Sequence, residues 1–171
     1  IEVLLQITEL APQSTQAWID LGEGYANAGD WEKVAEAYDR ALELDPENPD
    51  IQLLQAPVIF RLYGDAPRAQ RLVKDALPRL RRIESFEDEL RLYNTYVFLG
   101  QLAEAQGSHQ EAVDWLSQAV ALPRIEDHGA MVAIARVYRS AGNTDEAVRW
   151  MHGAIAQAPE DHSKYMILGS L

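Results

Sequence analysis

Apolar residues recur along this chain at spacings that fit one face of an α-helix. After Gly29, apolar side chains stand five, nine, twelve and thirteen residues further on, at Val34, Tyr38, Ala41 and Leu42. Equivalent series follow three more glycines, Gly64, Gly107 and Gly142. These offsets place the side chains on one stripe of a helix with 3.6 residues per turn. A second apolar stripe precedes each glycine, so the pattern predicts four copies of a helix, a glycine turn and a second helix.

Polar residues at the predicted helix starts agree with this organisation. Residues suited to capping a helix N-terminus stand at the expected places: Asp30, Asn48, Asp65 and Ser85. Asn48 is followed by Pro49, which is favoured at the first helical position. Ser108 with Glu111 has the spacing of a capping box, in which each side chain bonds the other residue's backbone N–H.

The repeated pattern resembles the tetratricopeptide repeat (TPR) family, whose unit of about 34 residues has fixed large and small positions. The first copy matches nearly in full, through Trp18, Leu21, Gly22, Tyr25, Gly29, Tyr38, Ala41 and Pro46. The resemblance implies an all-α fold, a right-handed α-solenoid of stacked helix-turn-helix repeats. One helical hairpin cannot bury its apolar stripe alone, so neighbouring repeats must stack.

The repeat register divides the chain into one TPR-like array. Residues 1–14 are expected to end a preceding repeat, and residues 162–171 to begin a further one. Full repeats are expected at 15–49, 50–92, 93–127 and 128–161, with an insertion near 78–90 in the second. Both ends are apolar and uncapped, which predicts a segment of a longer array that can self-associate through those ends.

Two features depart from the repeat. Pro57 stands where a small residue is expected, and it should kink its helix near residues 53–57; sequence drift and a bend that shapes a groove both stay open. The insertion contains Ser85 and Asp88, which can start a helix running from about 86 to 106, two turns longer than its counterparts. That longer helix is one interpretation of the insertion, and a protrusion that contacts a partner is the other.

Composition excludes several classes of function. The 171 residues contain 27 acidic and 15 basic side chains, for a net charge of −12, and no Cys. Thiolate chemistry is therefore absent, and binding to nucleic acid is not expected because it needs clustered positive charge. No apolar run has the length of a membrane span, so direct membrane insertion of this segment is not expected. The excess of Arg over Lys hints at a bacterial source, but periplasm and cytoplasm remain equally open.

No catalytic motif stands out. The acidic–histidine runs 126–128 and 160–162 recur 34 residues apart, which first suggests metal ligands. In a stack, equivalent positions lie one repeat apart, so the two runs could not obviously share one metal ion. They are better explained as helix caps. We therefore predict a non-enzymatic protein without cofactor or metal.

The resemblance further implies that the first helix of each repeat lines a groove that holds a peptide or helix of a partner protein. Carried onto this sequence, the groove residues of the first two repeats are Ile19, Asp20, Glu23, Ile51, Leu54, Gln55 and Val58. Those of the last two repeats are Asn94, Val97, Phe98, Gln101, Val132, Arg136 and Arg139. This set predicts a partly apolar floor with acids at one end and arginines at the other, unless neighbouring helices cover its apolar members.

The function implied by the resemblance is a protein–protein interaction scaffold. It would be a segment of a larger bacterial assembly protein, with envelope, secretion and polymer export as possible settings. Capture of chaperone C-termini, known in part of the family, is not expected, because Ile19 and Glu23 replace the Lys and Asn it needs. The alternative is a regulatory interaction domain of a larger enzyme or transcription regulator.

Overall fold

The computed structural model describes residues 1–80, 83–125 and 128–157. Across those ranges the chain forms nine α-helices and no strand, which confirms the predicted all-α fold. The helices are α1 Glu2–Leu10, α2 Thr15–Ala28, α3 Trp31–Leu44, α4 Pro49–Tyr63, α5 Ala66–Leu80, α6 Phe86–Ala105, α7 His109–Val120, α8 Gly129–Ser140 and α9 Thr144–Gln157. We call α2, α4, α6 and α8 the first helices, and we count their positions from residues 15, 50, 93 and 128.

The chain divides into two compact units, residues 1–81 and 82–171. In the first unit, α2 packs on α3, α3 on α4, and α4 on α5, while α1 packs on α2. In the second unit, α6 packs on α7, α7 on α8, and α8 on α9. Each first helix therefore pairs with the helix that follows it, as the repeated pattern predicts.

The repeated glycines make the turns between paired helices. Gly29, Gly64, Gly107 and Gly142 have φ angles of 76°, 63°, 73° and 79°. An L-residue with a side chain adopts this left-handed conformation at a steric cost, whereas glycine does not. The recurrence of glycine at these four places thus follows from the turn, and the predicted glycine turns are confirmed.

Most predicted helix caps form. Asn48 accepts a hydrogen bond from the N–H of Asp50, and Asp65 accepts one from the N–H of Arg68. At α6, Ser85 and Asp88 form a complete capping box, and the helix runs from Phe86 to Ala105, close to its predicted bounds.

The capping box predicted for Ser108 and Glu111 is wrong. Ser108 occupies the N-cap of α7 without a side-chain hydrogen bond to the helix. The carboxylate of Glu111 instead accepts a hydrogen bond from the indole N–H of Trp115, at 3.2 Å. That indole lies one turn along the helix and stacks against Tyr96 at a centroid distance of 6.0 Å.

Glycines at the eighth position of two first helices allow close packing against the next helix. A Cβ added to Gly22 would lie 2.3 Å from Cε1 of Tyr38, and one added to Gly100 would lie 2.7 Å from Cγ of Leu116. Both distances are far inside van der Waals contact, so no larger residue fits there without displacing a buried side chain. The equivalent residue of α4 is Pro57, which is exposed, within a helix that continues on both sides of it.

Candidate partner-binding surfaces

The predicted groove residues on α2 lie at the surface of the first unit. Glu23 is exposed, and Ile19 and Asp20 are half-buried. The carboxylate of Asp20 accepts a hydrogen bond from Nε2 of Gln16 at 2.7 Å. Burial raises the pKa of Tyr38, and the negative charge of Glu23 raises it further. The charge of Glu23 therefore also affects the buried tyrosine. This part of the surface is acidic.

Three of the residues predicted on α4 lie in the core. Ile51, Gln55 and Val58 are 0%, 1% and 4% exposed, and they offer no surface to a ligand. Nε2 of Gln55 donates to Oδ1 of Asp39 at 2.6 Å, which turns this side of α4 toward α3. The fourth, Leu54, is half-buried against the cluster that contains Val58.

The burial pattern of α4 is shifted by one residue relative to that of α2. Helix α2 buries its third, seventh, eighth and eleventh positions, namely Ala17, Leu21, Gly22 and Tyr25. Helix α4 buries its second, third, sixth, seventh, ninth and tenth positions, namely Ile51, Gln52, Gln55, Ala56, Val58 and Ile59. One residue corresponds to about 100° around a helix. The inner face of α4 has therefore rotated relative to the repeat register.

Pro57 gives a physical reason for this rotation. Its ring removes the helical hydrogen bond to the carbonyl of Leu53 and needs more room than glycine. Pro57 is exposed, and on the exposed side of a helix water can satisfy that carbonyl. The side of α4 opposite its buried face consequently includes Asp50, Leu53, Leu54, Pro57 and Arg61. Sequence reasoning missed Leu53 and Pro57, and the proline at a small-residue position was the signal that could have found them.

Arg61 is the positive charge on this surface of the first unit. Its guanidinium lies 4.4 Å from the centroid of the Trp31 ring, within the range of a cation–π contact. The contact ties the end of α4 to the start of α3, and the Arg61 residue remains exposed. The surface thus combines acids on α2 with one arginine on α4.

In the second unit the predicted residues of α6 remain at the surface. Asn94 and Gln101 are exposed, and Val97 and Phe98 are half-buried. On α8, Arg136 and Arg139 are exposed, while Val132 is half-buried and packs against the cluster of Ala135, Met151 and Ile155. More of the surface formed by α6 and α8 is therefore polar, and less of it is apolar, than the sequence predicts.

An ion pair joins the two first helices of the second unit. Nη2 of Arg136 lies 3.1 Å from Oε2 of Glu104, with half of the arginine side chain exposed. Such a pair stabilises little by itself, but it fixes the two side chains in one geometry. Of the two arginines on this surface, Arg136 is partly neutralised by Glu104, and Arg139 extends from the last turn of α8.

Two further contacts, which the sequence did not reveal, set the position of α8 along α6. The hydroxyl oxygen of Tyr93 accepts a hydrogen bond from the N–H of Ala130 at 3.2 Å. The buried carboxylate of Glu89 accepts one from the N–H of Arg124 at 2.9 Å, and Nε of Arg124 lies 3.5 Å away. The start of α8 is therefore level with Tyr93, and the connection before it lies beside Glu89.

The structure bears on metal binding and membrane crossing only within its described residues. In the parts of the chain that it describes, no three His, Asp or Glu side chains are grouped as metal ligands would be. The two acidic–histidine runs fall mostly at 126–127 and 160–162, outside the described residues. Among the described helices, none combines the length and apolarity that a bilayer crossing requires.

Comparison with known sequences identifies the family. Sequence models described as tetratricopeptide repeat match residues 15–48, 93–125 and 130–163, which together exceed half of the chain. The chain belongs to the tetratricopeptide repeat family. This confirms the resemblance and the TPR-type helical fold.

One curated relative is Superkiller protein 3 of Schizosaccharomyces pombe, 29% identical over 111 residues. The match covers 65% of this chain but spans only 8% of that protein's length. The match therefore supports the repeat assignment. It covers too little of the relative to say anything about that protein's role.

Solved TPR structures share the fold at low sequence identity. The crystal structure of MamA has a TM-score of 0.77 at 16% identity, covering 94% of this chain and 87% of MamA. YrrB, described as a TPR protein with an unusual peptide-binding site, has a TM-score of 0.72 at 18% identity, covering 98% and 80%. PilW, described as a widely conserved type IV pilus biogenesis factor, has a TM-score of 0.74 at 17% identity, covering 91% and 67%.

Proposed function

We propose that this chain is a protein-interaction scaffold whose first helices bind a peptide segment of a partner protein. Membership of the TPR family supports this role, and YrrB is an example of the same fold with a peptide-binding site. The observation that carries the proposal is the surface of α6 and α8. It combines half-buried Val97 and Phe98 with exposed Asn94, Gln101 and Arg139.

The chemistry of this surface fits a peptide with an acidic side chain and an apolar one. The amides of Asn94 and Gln101 can both donate to and accept from a peptide backbone. Arg139 can form a two-pronged hydrogen bond to a carboxylate. Val97 and Phe98 provide the apolar contact. In the first unit, α2 offers the opposite charge, through Asp20 and Glu23.

A peptide library displayed on phage tests the proposal. Peptides selected on the wild-type protein should bind the Arg139→Glu variant at least about tenfold more weakly, because the charge that pairs with their carboxylate is reversed. The matched control is Arg71→Glu on α5, an exposed arginine with the same change of charge. The proposal is wrong if the selected peptides respond to Arg71→Glu as strongly as to Arg139→Glu.

The wider setting is also a proposal. We take the repeats to be 15–49, 50–92, 93–127 and 128–161, within a longer array of a bacterial assembly protein. PilW, a pilus biogenesis factor of the same fold, makes an envelope or secretion setting reasonable. A regulatory domain of an enzyme or transcription regulator is the alternative. The coding sequence on either side of this segment distinguishes them: an export signal or membrane anchor favours the first, and a catalytic or DNA-binding domain the second.

A further inference from the structure

The ion pair between Glu104 and Arg136 lies within the peptide-binding surface of α6 and α8. Glu104 is at the twelfth position of α6 and Arg136 at the ninth position of α8, and both are positions that line the predicted groove. The glutamate side chain is 24% exposed and the arginine side chain 51% exposed. Both charged groups are therefore accessible to a ligand of this surface.

The charges at the groove positions of the second unit nearly cancel. Positions two, five, six, nine and twelve of α6 and α8 hold ten residues, of which three are charged, namely Glu104, Arg136 and Arg139. Two arginines less one glutamate give a net charge of +1 at these positions. Because Glu104 is paired with Arg136, the excess positive charge lies at the exposed Arg139. This balance favours a ligand that brings one carboxylate to the surface.

Without Glu104, the spacing of the two arginines would suit a ligand with two carboxylates. Arg136 and Arg139 are three residues apart in α8, so they lie on one face of the helix with Cβ atoms about 5–6 Å apart. In an extended peptide, side chains two residues apart point to the same side at a separation of about 6–7 Å. Two acids at such alternate positions could therefore each reach one arginine. Glu104 opposes this arrangement, because its carboxylate already occupies Arg136 and would repel a second acid.

We propose that Glu104 is a specificity-determining residue, which makes the surface select peptides with one acidic side chain over peptides with two acids at alternate positions. This inference rests on the proposed function, because it names the class of peptide that the same surface binds. The two arginines then have different roles: Arg139 binds the carboxylate of the ligand, and Arg136 is held by Glu104. Removing the carboxylate of Glu104 frees Arg136 to bind a second acid.

Two labelled peptides that differ in one residue test the inference. Both have blocked ends and an otherwise uncharged sequence; the monoacidic one contains Phe-Ala-Glu-Ala-Gln and the diacidic one Phe-Ala-Glu-Ala-Glu. Their dissociation constants are measured by fluorescence anisotropy in about 150 mM salt. The wild-type protein should bind the diacidic peptide no more tightly than the monoacidic one. Glu104→Gln should bind the diacidic peptide about fivefold more tightly than the monoacidic one, the upper range for one exposed ion pair.

The ratio of the two dissociation constants decides the outcome. The same ratio in wild type and Glu104→Gln overturns the proposal, and so does a failure of both proteins to bind either peptide. If the ion pair only holds α8 against α6, Glu104→Gln weakens both peptides by the same factor and the ratio does not move.

The matched control is Glu146→Gln in α9. It makes the same change of net charge and also breaks an exposed ion pair of the second unit, the one between Glu146 and Arg149. The ratio of the two dissociation constants should stay at its wild-type value in this variant. A gain for the diacidic peptide equal to that of Glu104→Gln would mean that net charge alone sets the preference, which overturns the role of Glu104.

A double variant tests whether Arg136 is the residue that Glu104 holds back. Glu104→Gln combined with Arg136→Gln keeps the net charge of the wild type and leaves Arg139 as the charged residue at the groove positions. The ratio should return to its wild-type value, because the second carboxylate no longer has an arginine to pair with. A preference for the diacidic peptide that persists in the double variant overturns the assignment.

Arg139→Glu separates this inference from the proposed function. Library peptides that lose about tenfold in affinity on Arg139→Glu, together with a ratio that ignores Glu104→Gln, remove this inference and leave the proposed function. Library peptides that ignore Arg139 remove the proposed function, and this inference with it.

Discussion

Helices α4 and α6 occupy the same place in the repeat but bury different faces. Beyond its first position, helix α6 buries its third, fourth, seventh, eighth, tenth and eleventh positions, with Gly100 at the eighth pressed against Leu116. Helix α4 buries the position before each of these, and Pro57 at its eighth is exposed. The comparison teaches that the turn glycines fix where the first helices end, whereas the residue at the eighth position selects the face turned inward.

The difference extends to the polar groups that each helix buries. In α6, buried Glu89 is bonded to Arg124, and the hydroxyl of buried Thr95 donates to the carbonyl of Arg91. In α4, the rotated face buries Gln52 and Gln55, and within the described structure the Oε1 atom of each has no hydrogen-bond partner. An unsatisfied buried carbonyl is costly. Helix α4 therefore bears a stability cost that α6 avoids.

The largest effect is expected for Gly100→Ala in α6. Its new Cβ would lie 2.7 Å from Cγ of the buried Leu116. The overpacking should lower the free energy of unfolding by about 2 kcal/mol, even though alanine favours helix more than glycine. Amide hydrogen exchange in α6 and α7 measures this loss of stability locally.

The control is Gly153→Ala in α9, where the nearest atom is the flexible Met131 methyl at 3.0 Å, so little change is expected. Equal effects at the two sites would contradict the close-packing account.

The next effect has the opposite sign and concerns α4. Pro57→Ala restores the N–H that can bond the carbonyl of Leu53, at an exposed position with room for a methyl group. We expect stabilisation by about 1–2 kcal/mol, less than the full helical cost of proline because the unfolded chain also gains freedom. Pro49→Ala is the control, since proline is favoured at the first position of α4. If Pro57→Ala instead destabilises α4 more than Pro49→Ala does, the proline is holding the rotated face in place.

Helix starts give the third test, with a smaller effect. Ser85→Ala should lower the free energy of opening of α6 by about 1 kcal/mol, because it removes a capping hydrogen bond. Ser108→Ala should change the free energy of opening of α7 by only a few tenths of that amount, because Ser108 makes no side-chain bond to its helix. Hydrogen exchange of the first-turn amides compares the two sites. Similar losses at both would show that Ser108 caps α7 in solution.

The sequence predicts the fold well and the binding surface only in part. The glycine turns, the caps at Asn48 and Ser85 and the bounds of α6 follow from local rules, which tertiary packing did not override. The capping-box sequence at Ser108 does not form its box: Ser108 makes no side-chain bond to its helix, and Glu111 accepts a hydrogen bond from Trp115, which local rules do not predict. The groove residues of α4 were assigned by repeat position, and position alone does not show that Pro57 rotates the helix. The partner contacts of the whole predicted set remain a prediction.

The smallest effect concerns pH. It distinguishes the start of α6, whose cap includes an ionisable residue, from the start of α4, whose cap residue is neutral. The Ser85 hydroxyl, together with the backbone N–H groups of Glu84 and Ser85, lowers the pKa of Asp88. A lowered carboxyl pKa means that the cap's contribution is complete above the ordinary aspartate range and is lost as pH falls through the folded value. Helix α4 is capped by Asn48, which does not titrate. NMR titration should therefore show fraying of the first turn of α6 in acid, absent in Asp88→Asn, while the start of α4, where Asp45 and Asp50 titrate but the cap does not, changes less. Parallel fraying of both starts would mean that acid unfolds the chain generally and that the cap is not its cause.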